Sequence, residues 1–229
     1  VQHDSYVPTP DSTPTRHKER VGYDRAAVHA VLDEAVLCHV GFVMDGKPVV
    51  LPQLHARDGD QLYLHGSSAA RALRASAAEG GLQVCVTVTL VDALVLARSA
   101  FNHSINYRSV VVHGRAEPVD DAATKQAVLA ALVDAVVPGR SAHVRGPSRK
   151  ELAATTVLRL PLDNVSLKVR SGPPVDEEAD LELPYWAGLL PLSMLVPSAP
   201  VAAPDLPDTA SAPGHVTGWT RESRCWPPS

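Results

Sequence analysis

The segment Leu62-Tyr63-Leu64-His65-Gly66-Ser67-Ser68-Ala69-Ala70-Arg71 gathers the residues best suited to chemistry in this chain. It reads as a short strand that passes through a glycine turn into a helix. Ser67 or Ser68 takes the N-cap, because a serine hydroxyl accepts from the free backbone N–H groups of a first turn. The helix then runs through alanines and Leu73 to a glycine stop at Gly80-Gly81. Arg71 and Arg74 lie three apart near its start, and the acid Glu79 lies at its end. The macrodipole disfavours both placements, by ~0.3–1 kcal/mol each when exposed. An anion at the helix start, phosphate above all, makes sense of the arginines. Solvated arginines beside a plain serine cap explain the same residues equally well when the segment is taken alone.

His65 ends the strand beside this turn. Either its neutral imidazole meets a cofactor or substrate, or it is a structural ring bonded to a backbone carbonyl. His103, in the polar run Phe101-Asn102-His103-Ser104, reads first as a solvated loop residue. Arg98, Arg108, Arg115, Lys168 and Arg170 lie in or at the ends of apolar strands. A half-exposed barrel face accounts for most of them and leaves two or three to meet a phosphate, which arginine can hold with two parallel hydrogen bonds.

Other chemistries lack their signatures. The chain has no G-x-S-x-G, H-E-x-x-H, P-loop or G-x-G-x-x-G pattern. Cys38 and His39 are neighbours on a strand, so they point to opposite faces and cannot share a metal. No acid–base pair stands out, which favours a cofactor that brings its own redox chemistry.

The elements that must hold these residues follow from periodicity. Tyr23–Glu34 reads as a helix. Val36–Met44 and Pro48–His55 are β-rich runs joined by Asp45-Gly46, a hairpin signal. Asp58-Gly59-Asp60 turns the chain into Gln61–His65. In Leu82–Ala97 the valines alternate with polar residues at period two, and Arg108–Pro118 continues the pattern. Asp120 and Asp121 cap a helix that reaches Val137, with Val128, Leu129, Leu132, Val133 and Val136 on one face. Thr155–Leu162 and Val165–Arg170 complete a set of about six strands, which suggests a mainly β fold, a small antiparallel barrel flanked by helices. Hydrophobic residues make up 45% of the 229, enough for a core. The ends differ: residues 1–17 and 196–229 are rich in Pro, Ser, Thr and Ala and are expected to be a disordered N-terminal arm and a disordered tail flanking the single domain of residues 18–195.

The net charge of −4 argues against nucleic-acid binding and gives no attraction to an acidic membrane. Three widely spaced cysteines without a C-x-x-C pair support neither a disulfide framework nor a zinc knuckle. With no signal-peptide pattern in residues 1–20 and no long apolar run, the expected compartment is the cytoplasm.

Three stretches carry a family resemblance: PVVLPQLHARDGDQLYLHGSSAARALRA, VDALVLARSAFNHSINYRSVVVHGRAEPV and VLRLPLDNVSLKVRSGPP. In this order they resemble the FMN-binding split-barrel superfamily, in particular the pyridoxamine 5′-phosphate oxidase-related branch that includes nitroimidazole-resistance proteins. The likeness covers roughly residues 18–190. It implies a Greek-key split β-barrel and a homodimer with FMN at the subunit interface. On that resemblance the strand Val50–His55, including Pro52, Gln53 and Leu54, would follow the isoalloxazine edge. His65, Gly66, Ser67 and Ser68 would form the turn at the ribityl phosphate, with Arg71 as its basic partner. Tyr107, Arg108 and Ser109 would reach the flavin from the partner subunit, and Lys168 and Arg170 would supply late basic positions near it. Trp186 matches a C-terminal motif of the branch. The oxidase's C-terminal contacts to pyridoxal phosphate have no counterpart, so vitamin oxidation is not expected.

The implied function is FMN-dependent oxidoreduction of a small organic molecule, with reduced nicotinamide as electron donor and His65 as the catalytic candidate. The alternatives are a flavin carrier without turnover, a haem-binding split barrel with His65 or His103 as axial ligand, and a deazaflavin protein. No metal site is expected.

Overall fold

Turn chemistry sets the strand order. In the computed structural model, residues 4–68, 80–192, 198–203, 206 and 211–220 are described. Arg71 and Arg74, with the helix expected over 69–79, lie outside them. A two-residue strand β1 (Val21–Gly22) precedes helix α1 (Arg25–Glu34), which begins where the Asp24 carboxylate accepts from Ala27 N. Strands β2 (Leu37–Met44) and β3 (Lys47–Asp58) form a hairpin in register from Met44↔Lys47 to Leu37↔Leu54. Both turn residues have positive φ, 49° at Asp45 and 73° at Gly46, as a twist-matched two-residue hairpin needs. β4 (Gln61–Ser67) follows, then the two longest strands, β5 (Leu82–Leu96) and β6 (Ser104–Pro118). After them come α2 (Ala122–Val136), α3 (Arg149–Ala154), β7 (Thr155–Pro161), β8 (Val165–Arg170), β9 (Gly188–Pro191) and the short helix α4 (Gly214–Thr217).

The pairing closes a ring. β2 bonds β3, β3 bonds β4, β4 bonds β7, β7 bonds β6, β6 bonds β5, and β5 returns to β2. β6 is the point of division: residues 107–112 pair with β8, whereas Glu117 and Pro118 pair with β7. This is the mainly β, helix-flanked split barrel that the sequence implied. Its interior is filled from alternate positions, with Val84, Val86 and Val88 on β5, Val110 and Val112 on β6, and Leu158 and Leu160 on β7. Val28, Val31 and Leu32 of α1 are buried in the same cluster, so one helix face seals against this core. A second, smaller cluster lies outside the ring, where Val128 and Leu132 of α2 pack on Ala56, Tyr63 and Val157.

Residues 4–17, expected as a loose arm, pack on the domain instead. Tyr6 is 6% exposed, and its hydroxyl donates to Asp60 Oδ1 at 2.7 Å and meets His29 Nε2 at 2.8 Å. Arg25 lies over its ring, 4.2 Å from the centroid. Backbone bonds Tyr6 N to Tyr23 O and Arg25 N to Asp4 O stitch the segment to the domain. One aromatic residue among prolines and threonines leaves no periodicity, so composition hid this anchor. Removing the phenolic hydroxyl in Tyr6→Phe deletes a bond to a carboxylate. It should cost about 2 kcal/mol, read as a fall in melting temperature of roughly 6 °C. An unchanged melting curve would show that the segment adds nothing to the fold.

No helix among the described residues is long and apolar enough to cross a membrane.

Candidate functional site

His65 is positioned by a strand, not by a turn. β4 stays paired with β7 through His65↔Val157, Gly66↔Thr156 and Ser67↔Thr155, so Gly66 lies inside the ladder. The turn begins one step later, at Ser68, whose N–H donates to Ala154 O at 2.9 Å. Residues alternate faces along a strand, which puts His65 on the same outer face as Tyr63, beneath α2. Here α2, the segment 137–147 and the outer wall of β3 and β4 enclose a groove of about 670 Å³. Leu54, Leu129, Val133, Val136 and Val144 make it apolar; Arg140 and the Arg145–Glu151 pair, joined by bonds of 2.8 and 2.7 Å, are also in its lining. His65 also borders a second cavity of about 160 Å³ among Val40, Phe42, Leu51, Gln53, Leu64 and Leu158.

Among the described residues the histidine is unbonded, and burial favours its neutral form. Burial pushes its pKa below the ordinary value. Its Nδ1 is buried, and neither ring nitrogen has a partner among the described residues. The carbonyl-bonded ring of this fold is His55, whose Nε2 donates to Leu32 O at 2.8 Å. A buried polar atom without a partner costs about 1–3 kcal/mol, so its persistence beside an apolar groove favours a ligand there. His103 does not share this character, because its Nδ1 donates to Ser99 O at 2.9 Å on an exposed turn.

The remaining expected flavin residues divide among three environments. Register places Pro52 opposite His39, His39 opposite Thr87, and Thr89 opposite Ser109; Ser109 then faces Lys168, and Tyr107 faces Arg170. Directly opposed residues share a face, so Pro52, Thr89, Tyr107, Ser109, Lys168 and Arg170 all belong to the outer face of the sheet. Ser109 Oγ donates to Val88 O, and Arg170 donates to the buried Asn106, whose amide in turn donates to Gly172 O at 3.0 Å. Lys168 makes no ion pair among the described residues. Gln53 points inward to the smaller cavity, and Leu54 faces the larger groove.

Arg108 departs from expectation. Its neighbours in sequence face outward, so it takes the other side of β6, where it binds two carboxylates. It donates to both oxygens of Glu34 on α1, and to Asp92 from Nε at 3.0 Å and from Nη2 at 2.7 Å. These bonds raise its pKa still further, and the guanidinium is committed to holding α1 on β5 and β6. Arg108 therefore serves as a structural clamp within the chain.

Sequence reasoning missed the groove. Its signal lay in the apolar stripe of α2, which is wider than packing requires. Val128 and Leu132 are buried in the contact with the barrel and Leu129 packs against them, whereas Val133 and Val136, with Leu129 and Leu132, line the groove. The tail expected from 196 onward also makes contacts, since Trp219 Nε1 donates to Val136 O at 2.8 Å. Among the described residues no cluster of three or more His, Cys, Asp or Glu side chains could hold a metal ion.

The profile of the pyridoxamine 5′-phosphate oxidase family matches residues 24–169. The chain is similar to the flavocytochrome Anf3 from Azotobacter vinelandii, with 38% identity and a TM-score of 0.85 over 94% of this chain and 99% of that one. It is similar to a FAD and haem binding protein from Mycobacterium smegmatis, with 39% identity and a TM-score of 0.81 over 87% of this chain and 96% of the other. A candidate 5-nitroimidazole antibiotic resistance protein from Bacteroides thetaiotaomicron shares the fold at 22% identity and a TM-score of 0.55, over 65% of this chain and 86% of that one. No curated protein matches the sequence.

Proposed function

The chain belongs to the pyridoxamine 5′-phosphate oxidase family, whose split barrels bind flavin, and from that premise we propose that it is an oxidoreductase carrying both a flavin and a haem. The observation that carries the haem is His65, a neutral imidazole with a buried, unbonded nitrogen at an apolar groove. The residues present fit the group. A neutral imidazole is the common protein ligand to haem iron, the α2 side chains exclude water from a flat apolar ring, and Arg140 suits its carboxylates. Haem supplies one-electron chemistry, and a flavin supplies the step between two-electron donors and one-electron acceptors.

For the flavin, the outer sheet face offers Lys168 and Arg170 as cations and Thr89 and Ser109 as hydroxyls. Ser67 and Ser68 stand at the head of the segment that leads to Arg71. We read the flavin as FAD rather than the FMN of the sequence expectation, because the 39% identical relative is described as binding FAD. Reduced nicotinamide as donor and a small organic acceptor complete the reading. Free Cys38 and Cys85 favour a reducing compartment such as the cytoplasm.

The absorption spectrum of the full chain, reconstituted with haemin and FAD, tests both halves. A Soret band beside flavin absorption is expected, with FAD as the species released by acid. A spectrum without a Soret band removes the haem. Release of FMN alone, or of a deazaflavin from protein purified from its host, corrects the flavin.

The same sheet face leaves Val43 and Val50 exposed at 65% and 63%, together with Pro52. A second copy of the chain covering that face would also close the flavin site. Sedimentation at micromolar concentration should give a dimer, and Val50→Lys should give a monomer that has lost flavin. A wild-type monomer that binds flavin stoichiometrically contradicts the shared site.

A further inference from the structure

Residues 211–220 hold the groove wall with two grips. The Trp219 indole N–H donates to Val136 O at 2.8 Å, one of the carbonyls that a helix leaves without an internal partner at its C-terminal end. Four residues earlier, on α4, the His215 ring stacks on His143, with centroids 4.4 Å apart and planes at 15°. His143 ends the 3₁₀ turn Arg140–His143. Val136, Arg140 and Ser141 line the groove, so both grips bear on elements that form one of its walls.

We infer that the segment 211–220 is a clasp that fixes this wall, and that protonation of His215 releases it. His215 is faced by His143 and Arg140 from the 3₁₀ turn and by Asp134 from α2. Asp134 is already engaged, accepting from Ser141 N at 2.7 Å and Ser141 Oγ at 2.6 Å. Nε2 of His215 is buried without a partner among the described residues, so a proton placed there finds no acceptor. Burial, followed by the neighbouring His143 and Arg140, lowers its pKa when the clasp is closed. The sign follows: a lowered pKa makes closure fully effective above the ordinary histidine value and progressively weaker as pH falls below it. A closed wall slows the escape of whatever the groove holds. That consequence rests on the haem reading, whereas the clasp itself does not.

Hydrogen exchange of the full chain without cofactors, at pH 7.5 and 5.5 and corrected for intrinsic rates, reads the wall directly. Residues 137–147 should exchange about fivefold faster in Trp219→Leu at pH 7.5, the effect of one net hydrogen bond. Wild-type protein should lose the same protection at pH 5.5. His215→Phe, which keeps a stacking ring but cannot titrate, should retain it at both values. Equal wall exchange in Trp219→Leu and wild type overturns the clasp. Loss of protection at pH 5.5 that persists in His215→Phe overturns the switch. Transfer of haemin to apomyoglobin should accelerate in step with wall exchange. If wall exchange changes while haemin transfer does not, or if haemin fails to bind, the groove assignment fails and the clasp stands on the exchange data.

Discussion

Replacing His65 with alanine should remove the Soret band from the reconstituted protein and leave the flavin absorption in place. Partners that merely orient a metal ligand change affinity by about 10- to 100-fold, so loss of the ligand itself should weaken haemin binding by more than ~100-fold. Added imidazole should restore part of the band, because the deletion leaves space of the right shape. The lowered pKa of His65 has a further consequence. Burial favours its neutral form, so the Soret band should persist to lower pH than an exposed histidine ligand would allow. His65→Leu separates a ligand from a structural residue in cofactor-free protein. Deleting an unbonded buried nitrogen relieves a cost of about 1–3 kcal/mol, so the melting temperature should hold or rise. A clear fall would mark His65 as structural, and an unchanged Soret band in His65→Ala would end its role as ligand.

Arg108→Met should destabilise the fold by about 3 kcal/mol at pH 7, the scale of breaking a largely buried ion pair. The side chains of Arg108, Glu34 and Asp92 keep 29%, 23% and 34% of their exposure, which places the effect at the low end of that range. Without the guanidinium, two carboxylates from different elements face each other across a narrow gap. Their mutual repulsion adds to the loss of the two ion pairs, and urea unfolding at pH 7 measures the total. Glu34→Gln in the Arg108→Met background should recover part of the loss. If Arg108 contacted the flavin phosphate, the variant would lose flavin affinity with little change in stability, the opposite result.

The parts of the fold written in local sequence were legible. Asp45-Gly46 requires positive φ at two successive residues, and Leu82–Leu96 alternates at period two, so hairpin and long strand follow from their own residues. The placement of Gly66 was not, because the ladder with β7 continues through it and that partner lies far along the chain. Arg108 illustrates the same difficulty. A lone arginine in an apolar strand is equally compatible with a phosphate and with carboxylates, and nothing near it in sequence reveals Glu34. Tyr6 depends on a slot built from Tyr23, Arg25, His29 and Asp60, which exists only after folding. His65 was recognisable as a candidate from its strand-end position. What makes it special, the unbonded nitrogen beneath α2, arises from a helix more than fifty residues downstream.

Ring closure sets the order in which this protein can be built. β4 meets β7 through pairs from Gln61↔Pro161 to Ser67↔Thr155, so the barrel closes across a loop of about 100 residues. The β2–β3 and β5–β6 hairpins need only neighbouring chain and can form early, whereas the β4–β7 seam bears the slow, non-local step. During synthesis the seam cannot form until β7 has left the ribosome. The groove shares that timing, because one wall is α2, which precedes β7, and the other is the finished barrel. On the proposed function, cofactor capture at His65 would be reserved for chains that have completed their topology, and a bound haem would report a closed ring.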